Sequence, residues 1–266
     1  MKIGCIGCGN MAKPILNGIA SSAIAAPEDI YVTDVNRDAL KTFCEACGLR
    51  VSTQEEILCA CDTVILAVKP QILPELLPQT AEAVNRRDLL VISIAAGKTT
   101  DYIGSFYHES VAVARIFPNL NAKVGAAVSA YCGNQNVTAS QLETVKTICE
   151  SFGAAFYVPE AQINIFGVLG GCAPAYTFMY IDALAEAAAA AGFDRAFAGE
   201  VAAKMAEGSA KLLASGGESA AELVKKVCSP GGTTIEGVNS LLNDDFAGIV
   251  KKAFDASLRR DAELSK

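Results

Sequence analysis

Met1-Lys2-Ile3-Gly4-Cys5-Ile6-Gly7-Cys8-Gly9-Asn10-Met11-Ala12-Lys13-Pro14-Ile15-Leu16-Asn17-Gly18 opens the chain. Lys2 to Ile6 is a short apolar run, suited to a central strand covered on both faces. Gly7 to Ala12 is a G-x-G-x-x-A turn. Met11, Ile15, Leu16 and Ile19 then recur at helical spacing and give one apolar face. Gly7 permits a tight turn, Gly9 has no side chain to hold a pyrophosphate off the backbone, and Ala12 lets the helix pack on the strand. The helix start offers free N–H groups and a positive dipole end. Strand, turn and helix in this order predict a dinucleotide site, with a ligand-free strand–helix turn as the alternative.

Composition narrows the classes. The chain has 266 residues, 52% of them hydrophobic, and a formal net charge of -7. Basic residues form no cluster larger than Lys225-Lys226, Lys251-Lys252 and Arg259-Arg260, which argues against a nucleic-acid partner. Mean hydropathy is positive at +0.32. The most apolar stretch, Ala183 to Ala191, is interrupted by Glu186 and flanked by Asp182 and Asp194, so it is too short and too polar to span a bilayer. A glycine turn, and no signal peptide, occupies the N-terminal region, and the expectation is a cytoplasmic protein. The pairs Cys5/Cys8 and Cys44/Cys47 have a spacing that zinc sites share. Cys5 belongs to the strand and Cys8 to the phosphate turn, so no metal is expected. The ten cysteines read as small buried hydrophobes in a reducing compartment.

Further along, Ile30 to Asp34 reads as a second strand. Asp34 lies about twenty residues past the glycines, where an acid binds a ribose 2′-hydroxyl and favours NAD. Asn36 and Arg37, just beyond, suit a 2′-phosphate and favour NADP; Asp34 as a helix cap is the bland alternative. Val64 to Val68 is strand-like and stops at Lys69-Pro70-Gln71. Leu89 to Ile94 ends in Ala95-Ala96-Gly97, small enough for a flat ring to approach the backbone. Val111 to Ile116 closes on Phe117-Pro118-Asn119. Three strand ends with turn chemistry fit one cleft at the carboxyl edge of a sheet. Ala126 to Cys132 and Ala154 to Val158 read as further strands around a helix from Thr138 to Glu150, completing an α/β, Rossmann-type doubly wound sheet.

Past Pro159 strand-like runs vanish. Successive helices are expected at about Ala161–Ala191, Arg195–Ala214, Ala220–Val227, Thr233–Leu242 and Asp245–Leu264. The expected division is a dinucleotide-binding domain, 1–159, followed by an all-helical dimerisation and substrate-binding domain, 160–266. Leu169 to Tyr176 is a small-residue run that favours close helix packing. Ser229-Pro230-Gly231-Gly232-Thr233-Thr234 is a glycine turn opening into a helix. Backbone N–H groups and hydroxyls converge there on a positive helix end, which suits a carboxylate. The only histidine, His108, sits in a polar segment and reads as exposed. Without an evident acid, reduction of an already protonated imine is easier to support than reduction of a carbonyl, since positioning does most of the work.

Together these motifs resemble the pyrroline-5-carboxylate reductase family over nearly the whole chain. The likeness is carried by Ile6 to Ala12, Ala67-Val68-Lys69-Pro70-Gln71, Ser93 to Gly97, Pro118-Asn119, Pro174-Ala175-Tyr176 and, most specifically, Ser229 to Ile235. It implies reduction of (S)-1-pyrroline-5-carboxylate to L-proline by NADPH or NADH, the final step of proline biosynthesis. It also implies a homodimer, or a higher oligomer built from dimers, whose helical domains interlock beside the nicotinamide. Carried over, Gly7, Cys8, Gly9, Asn10, Met11, Ala12, Asp34, Gln54, Ala67, Val68, Lys69 and Pro70 contact the cofactor, with Ala95, Ala96 and Gly97 near its nicotinamide. Gly231, Gly232 and Thr233 supply N–H groups to the substrate carboxylate. Thr234 bonds the ring nitrogen and relays the proton, and Glu160 faces the substrate amine.

Two stretches depart from the family pattern. Gly170-Gly171-Cys172-Ala173 stands where relatives usually carry Ser-Gly-Ser-Gly, and Phe117-Pro118-Asn119-Leu120-Asn121 replaces Met-Pro-Asn-Thr-Pro. They motivate two competing readings: a reductase of another cyclic imine carboxylate, and a catalytically silent dinucleotide-binding protein.

Overall fold

The structure, a computed structural model, describes residues 1–86 and 88–264. The chain divides into two compact units. One runs from Met1 to Gly171 and takes in the C-terminal stretch from Leu258; the other is Cys172–Ser257.

The first unit is built on one eight-stranded sheet of order β3-β2-β1-β4-β5-β6-β7-β8. Its strands are β1 (Ile3–Ile6), β2 (Ile30–Thr33), β3 (Arg50–Val51), β4 (Thr63–Leu66), β5 (Leu90–Ser93), β6 (Ala112–Phe117), β7 (Ala127–Gly133) and β8 (Gly153–Tyr157). All neighbours pair parallel except β6 with β7. The order reverses between β1 and β4, so a crevice opens outside their carboxyl ends.

Each central strand feeds two cores because successive side chains point to opposite faces. On one face Ile3, Cys5, Ile65, Leu90, Ile92, Ala114 and Ile116 pack with α1 (Ala12–Ser21), α2 (Arg37–Cys47) and α6 (Ala139–Glu150). On the other, Ile6, Val64, Leu66, Val91 and Val113 pack with α3 (Gln54–Ala60), α4 (Leu73–Asn85) and α5 (Thr100–Gly104). Side-chain caps fix the helix starts: Asn36 accepts from Ala39 N–H, and Thr53 and Thr138 close capping boxes.

The expected long helix from Ala161 to Ala191 is interrupted. A 3₁₀ turn at Glu160–Gln162 leads into α7 (Ile163–Phe166), then a π-helical run Gly167–Cys172, then α8 (Ala173–Ala190). The glycine-rich run weakens the α ladder and admits a neighbour. A Cβ on Gly171 would lie 2.8 Å from the Phe117 ring, and the buried Asn119 donates from Nδ2 to the Gly170 carbonyl at 2.8 Å while its Oδ1 accepts from Val128 N–H. The small residues therefore serve close packing, and Asn119 satisfies a carbonyl that the π geometry frees.

The second unit holds α8, then α9 (Arg195–Ala214), α10 (Ala220–Val227), α11 (Thr233–Asn243) and the greater part of α12 (Phe246–Leu264). Arg195 joins α9 to α8 through Glu186 at 2.6 Å and through Asp182. Tyr176 bonds Ser257 at 2.5 Å, tying α8 to α12. These helices bury little within one chain: Ala185 in α8, Ala198 and Ala202 in α9, and no residue of α10 or α11. Phe178, Met179, Phe197, Val201 and Leu212 remain exposed. Among the described residues no helix is long and apolar enough to cross a membrane.

Candidate active site

Among the clefts on the sheet unit, one of about 670 Å³ coincides with the switch point. It is lined by Gly7 and Gly9 after β1, Thr33, Asp34 and Arg37 after β2, Gln54 on α3, and Ala67, Val68 and Lys69 after β4. Seven predicted cofactor contacts thus meet in one place: Gly7, Gly9, Asp34, Gln54, Ala67, Val68 and Lys69. Cys8, Asn10, Met11 and Ala12 complete the same turn and the start of α1, and Pro70 opens the 3₁₀ turn after Lys69. Sequence reasoning missed Ile72, Glu75, Leu76 and Gln79 on the far wall. A signal existed: Glu75 and Gln79 stand four apart on α4, one polar ridge beside its apolar face.

The turn geometry explains the residue choice. Gly7 has φ 101°, and a Cβ there would sit 2.5 Å from the Ala67 carbonyl oxygen, so only glycine lets β1 and β4 end this close. Around Gly9 a Cβ would meet nothing within 4 Å: the space beside the turn is open, as a pyrophosphate requires. No side chain caps α1, and its first turn carries no acid. The N–H groups and dipole at this end therefore remain available to an anion. These features fit a dinucleotide.

Asp34 does not cap α2; Asn36 does. The Asp34 carboxylate accepts from Cys8 N–H at 2.7 Å and from Asn36 N–H at 2.8 Å, and so links the end of β2 to the glycine turn. Arg37 donates to the Ser52 carbonyl at 3.0 Å. The Cys8 thiol is pushed up to about 11, first by burial and then by the Asp34 charge, with Lys13 opposing; at neutral pH it is a neutral filler. Cys44 is likewise raised to about 11 by burial. Among the described residues no group of three or more His, Cys, Asp or Glu is disposed to hold a metal. His108 is exposed and its Nδ1 pairs with Ser110 at 2.8 Å.

The loop Ala95-Ala96-Gly97 leaves β5 at the same sheet edge. Ala95 is buried and its N–H donates to Ser93 Oγ at 3.2 Å, while Ala96 is exposed. Glu160 opens the 3₁₀ turn after β8. Its carboxylate accepts from Thr100 N–H at 2.8 Å and from Thr100 Oγ1 at 2.5 Å, with Arg115 Nη1 at 3.4 Å.

In the helical unit, Gly232 occupies the N-cap of α11 and no side chain caps that helix. Gly232 N–H donates to Ser229 carbonyl at 3.0 Å, which folds the turn back. Thr233 and Thr234 are exposed in the first turn. Backbone donors and two hydroxyls stand together at this helix start, a geometry that suits a small carboxylate.

Known proteins carry the same pattern. A family model described as pyrroline-5-carboxylate reductase dimerisation matches residues 160–264, and one described as NADP oxidoreductase coenzyme F420-dependent matches residues 2–97. The chain is 36% identical over 266 residues to the pyrroline-5-carboxylate reductase of Escherichia coli, covering 100% of this chain and 98% of that one. It is 36% identical over 271 residues to the Synechocystis enzyme of the same name, covering 100% and 99%. Among solved structures, a pyrroline-5-carboxylate reductase from Coxiella burnetii superposes with a TM-score of 0.95 at 31% identity, covering 100% and 98%. That from Plasmodium falciparum, solved with NADP bound, superposes at 0.86 with 26% identity, covering 100% and 98%. With identity sustained across both units, the chain belongs to the pyrroline-5-carboxylate reductase family.

Proposed function

We propose that this chain reduces (S)-1-pyrroline-5-carboxylate to L-proline with NAD(P)H, closing proline biosynthesis. The observation that carries this reading is the uncapped glycine–threonine start of α11 in a chain that also holds the switch-point cleft. A reduced nicotinamide supplies the hydride when bound. The protein's part is placement. The glycine turn and the open N-terminus of α1 hold the phosphates, with Asn10, Met11 and Ala12 presenting the backbone. Gln54, Val68, Lys69 and Pro70 frame the adenosine side, and Ala95, Ala96 and Gly97 border the nicotinamide. Gly231, Gly232 and Thr233 bind the substrate carboxylate by N–H groups. The Thr234 hydroxyl bonds the ring nitrogen and passes the proton.

NADH is the better donor in this reading. The Asp34 carboxylate is fixed by Cys8 and Asn36 N–H groups, where a ribose 2′-hydroxyl is read. The two residues that would welcome a 2′-phosphate are committed: the Asn36 side chain caps α2, and the Arg37 guanidinium is turned to Ser52.

The working unit is a homodimer, supported by the family's dimerisation match and by the exposed apolar helices. Residues 160–266 form its substrate-binding and dimerisation half. Ten cysteines, all thiols in the structure, support a cytoplasmic location. The test follows absorbance of NADH and NADPH with pyrroline-5-carboxylate and, in parallel, its six-membered homologue. Faster turnover of the five-membered ring supports the proposal. Preference for the larger ring assigns another cyclic imine, and cofactor binding without turnover assigns a silent binder.

A further inference from the structure

We propose that Glu160 is a positioning residue for the cofactor, acting through Thr100 and backed by the buried cation of Arg115. The segment between Ala95 and Thr100 is fastened at both ends by side-chain oxygens. At its start, Ala95 N–H donates to Ser93 Oγ at 3.2 Å, and Ile94 N–H donates to the Leu66 carbonyl at 3.2 Å. At its end, Thr100 gives both its N–H and its hydroxyl to Glu160, at 2.8 and 2.5 Å. Between the two fastenings the chain turns through Gly97, with φ 71°, and exposes Ala96 and Thr99. The same carboxylate faces Arg115 at 3.4 Å.

Arg115 belongs to the strand that carries this grip. It pairs with Ser93 of β5 on one side and Cys132 of β7 on the other, and only 3% of it is exposed. Its Nε has no hydrogen-bond partner. A guanidinium held in the core with an unused donor is costly unless its charge is matched. Its carboxylate partner is Glu160, which enters from the turn after β8. Serine, arginine, glutamate and threonine thus join β5, β6 and the start of α5 into one brace behind the loop. Glu160 Oε1 accepts from Thr100 N–H and faces Arg115, and Oε2 accepts from the Thr100 hydroxyl, so both oxygens of the residue hold the loop.

The proposal rests on the reading that Ala95 to Gly97 border the cofactor. The test uses the full-length protein and three variants, Thr100→Val, Thr100→Ser and Glu160→Gln. Each is followed by hydrogen exchange of residues 95–104, by NADH dissociation constant from fluorescence titration, and by steady-state kinetics. Thr100→Val removes the hydroxyl at nearly constant volume, and Thr100→Ser keeps it. The expected result is faster exchange and about tenfold weaker NADH binding in Thr100→Val and Glu160→Gln, the size of one lost charge-assisted hydrogen bond. Substrate KM stays unchanged and Thr100→Ser restores the wild-type values. A selective rise of substrate KM in Glu160→Gln, with Thr100→Val silent, overturns the proposal in favour of a substrate contact. Faster exchange with unchanged NADH affinity overturns it as well, by removing the cofactor from the loop. The exchange and NADH measurements stand even if pyrroline-5-carboxylate is not turned over, which separates failure of this inference from failure of the proposed reaction.

Discussion

Replacing Asp34 by serine tests the cofactor reading most directly. The carboxylate lines the switch-point cleft and is held by two backbone N–H groups. A 2′-phosphate on the adenosine ribose would face that negative charge at close range. Two unit charges about 4 Å apart interact by about 1 kcal/mol in water and about 4 kcal/mol at an effective dielectric near 20. Asp34 is partly buried, so roughly 2 kcal/mol per charge pair is the appropriate scale. That is about thirtyfold in affinity. Asp34→Ser should therefore tighten NADPH by about thirtyfold, and weaken NADH by about tenfold through loss of a charged acceptor for the ribose hydroxyl. Fluorescence titration of both dinucleotides, at low and high salt, measures each term. The NADPH gain should shrink with ionic strength, since screening acts on the repulsion. A wild-type ratio of NADH to NADPH affinity in Asp34→Ser, at either salt, refutes the assignment.

Other perturbations address the remaining parts. Thr234→Ala should lower turnover while leaving NADH affinity unchanged; stopped-flow binding alongside steady-state rates separates the two, and full turnover removes Thr234 from the chemistry. Gly7→Ala puts a side chain at φ 101° and 2.5 Å from the Ala67 carbonyl, so melting should show a loss of about 2 kcal/mol or more, with weakened NADH binding. Met179→Lys places a charge on the exposed apolar face of α8; light scattering should report a shift from dimer towards monomer. The thiols predict alkaline behaviour. Cys8 and Cys44 are raised by burial to about 11, and Cys132 and Cys149 to about 12, from an ordinary value of 9.0. Their contribution is complete below pH 9 and is lost as pH rises through 11 to 12, because the unfolded chain releases protons that the folded one keeps. Melting temperature should fall across that window, and less steeply in Cys149→Ala than in the wild type.

The sheet was legible where burial leaves one unambiguous pattern. β1, β4, β5 and β6 are covered on both faces and read as largely apolar runs, with Arg115 of β6 the one charged residue in them. β3 left no such trace, since Arg50 and Val51 are both exposed. The antiparallel pairing of β7 with β6 is set by the short connection from Pro118 to Ala126, which has no room for a crossover helix. Residue pattern alone does not carry strand direction. The helices of the second unit were legible from caps and glycines: Arg195–Ala214 and Ala220–Val227 have the expected bounds. The break at Gly167–Cys172 was not, because a π-run depends on what packs against it, here Phe117 and Asn119. For the site, glycine turns announce backbone chemistry locally. Glu160 could not be placed that way: Thr100 and Arg115 lie 60 and 45 residues away, and only the fold brings them together.

The meagre burial of α8 to α11 within one chain has a consequence for how the molecule comes into being. A sheet unit with two cores can condense while the chain is alone, but the helices that carry Thr233 and Thr234 lack an apolar interior of their own. Their free energy is realised when a second copy arrives, so the last stage of folding is bimolecular. Refolding of activity should follow second-order kinetics in protein concentration, lagging behind the recovery of dinucleotide binding. Dilution should then act as an inhibitor that disables the proposed substrate end while leaving dinucleotide binding intact.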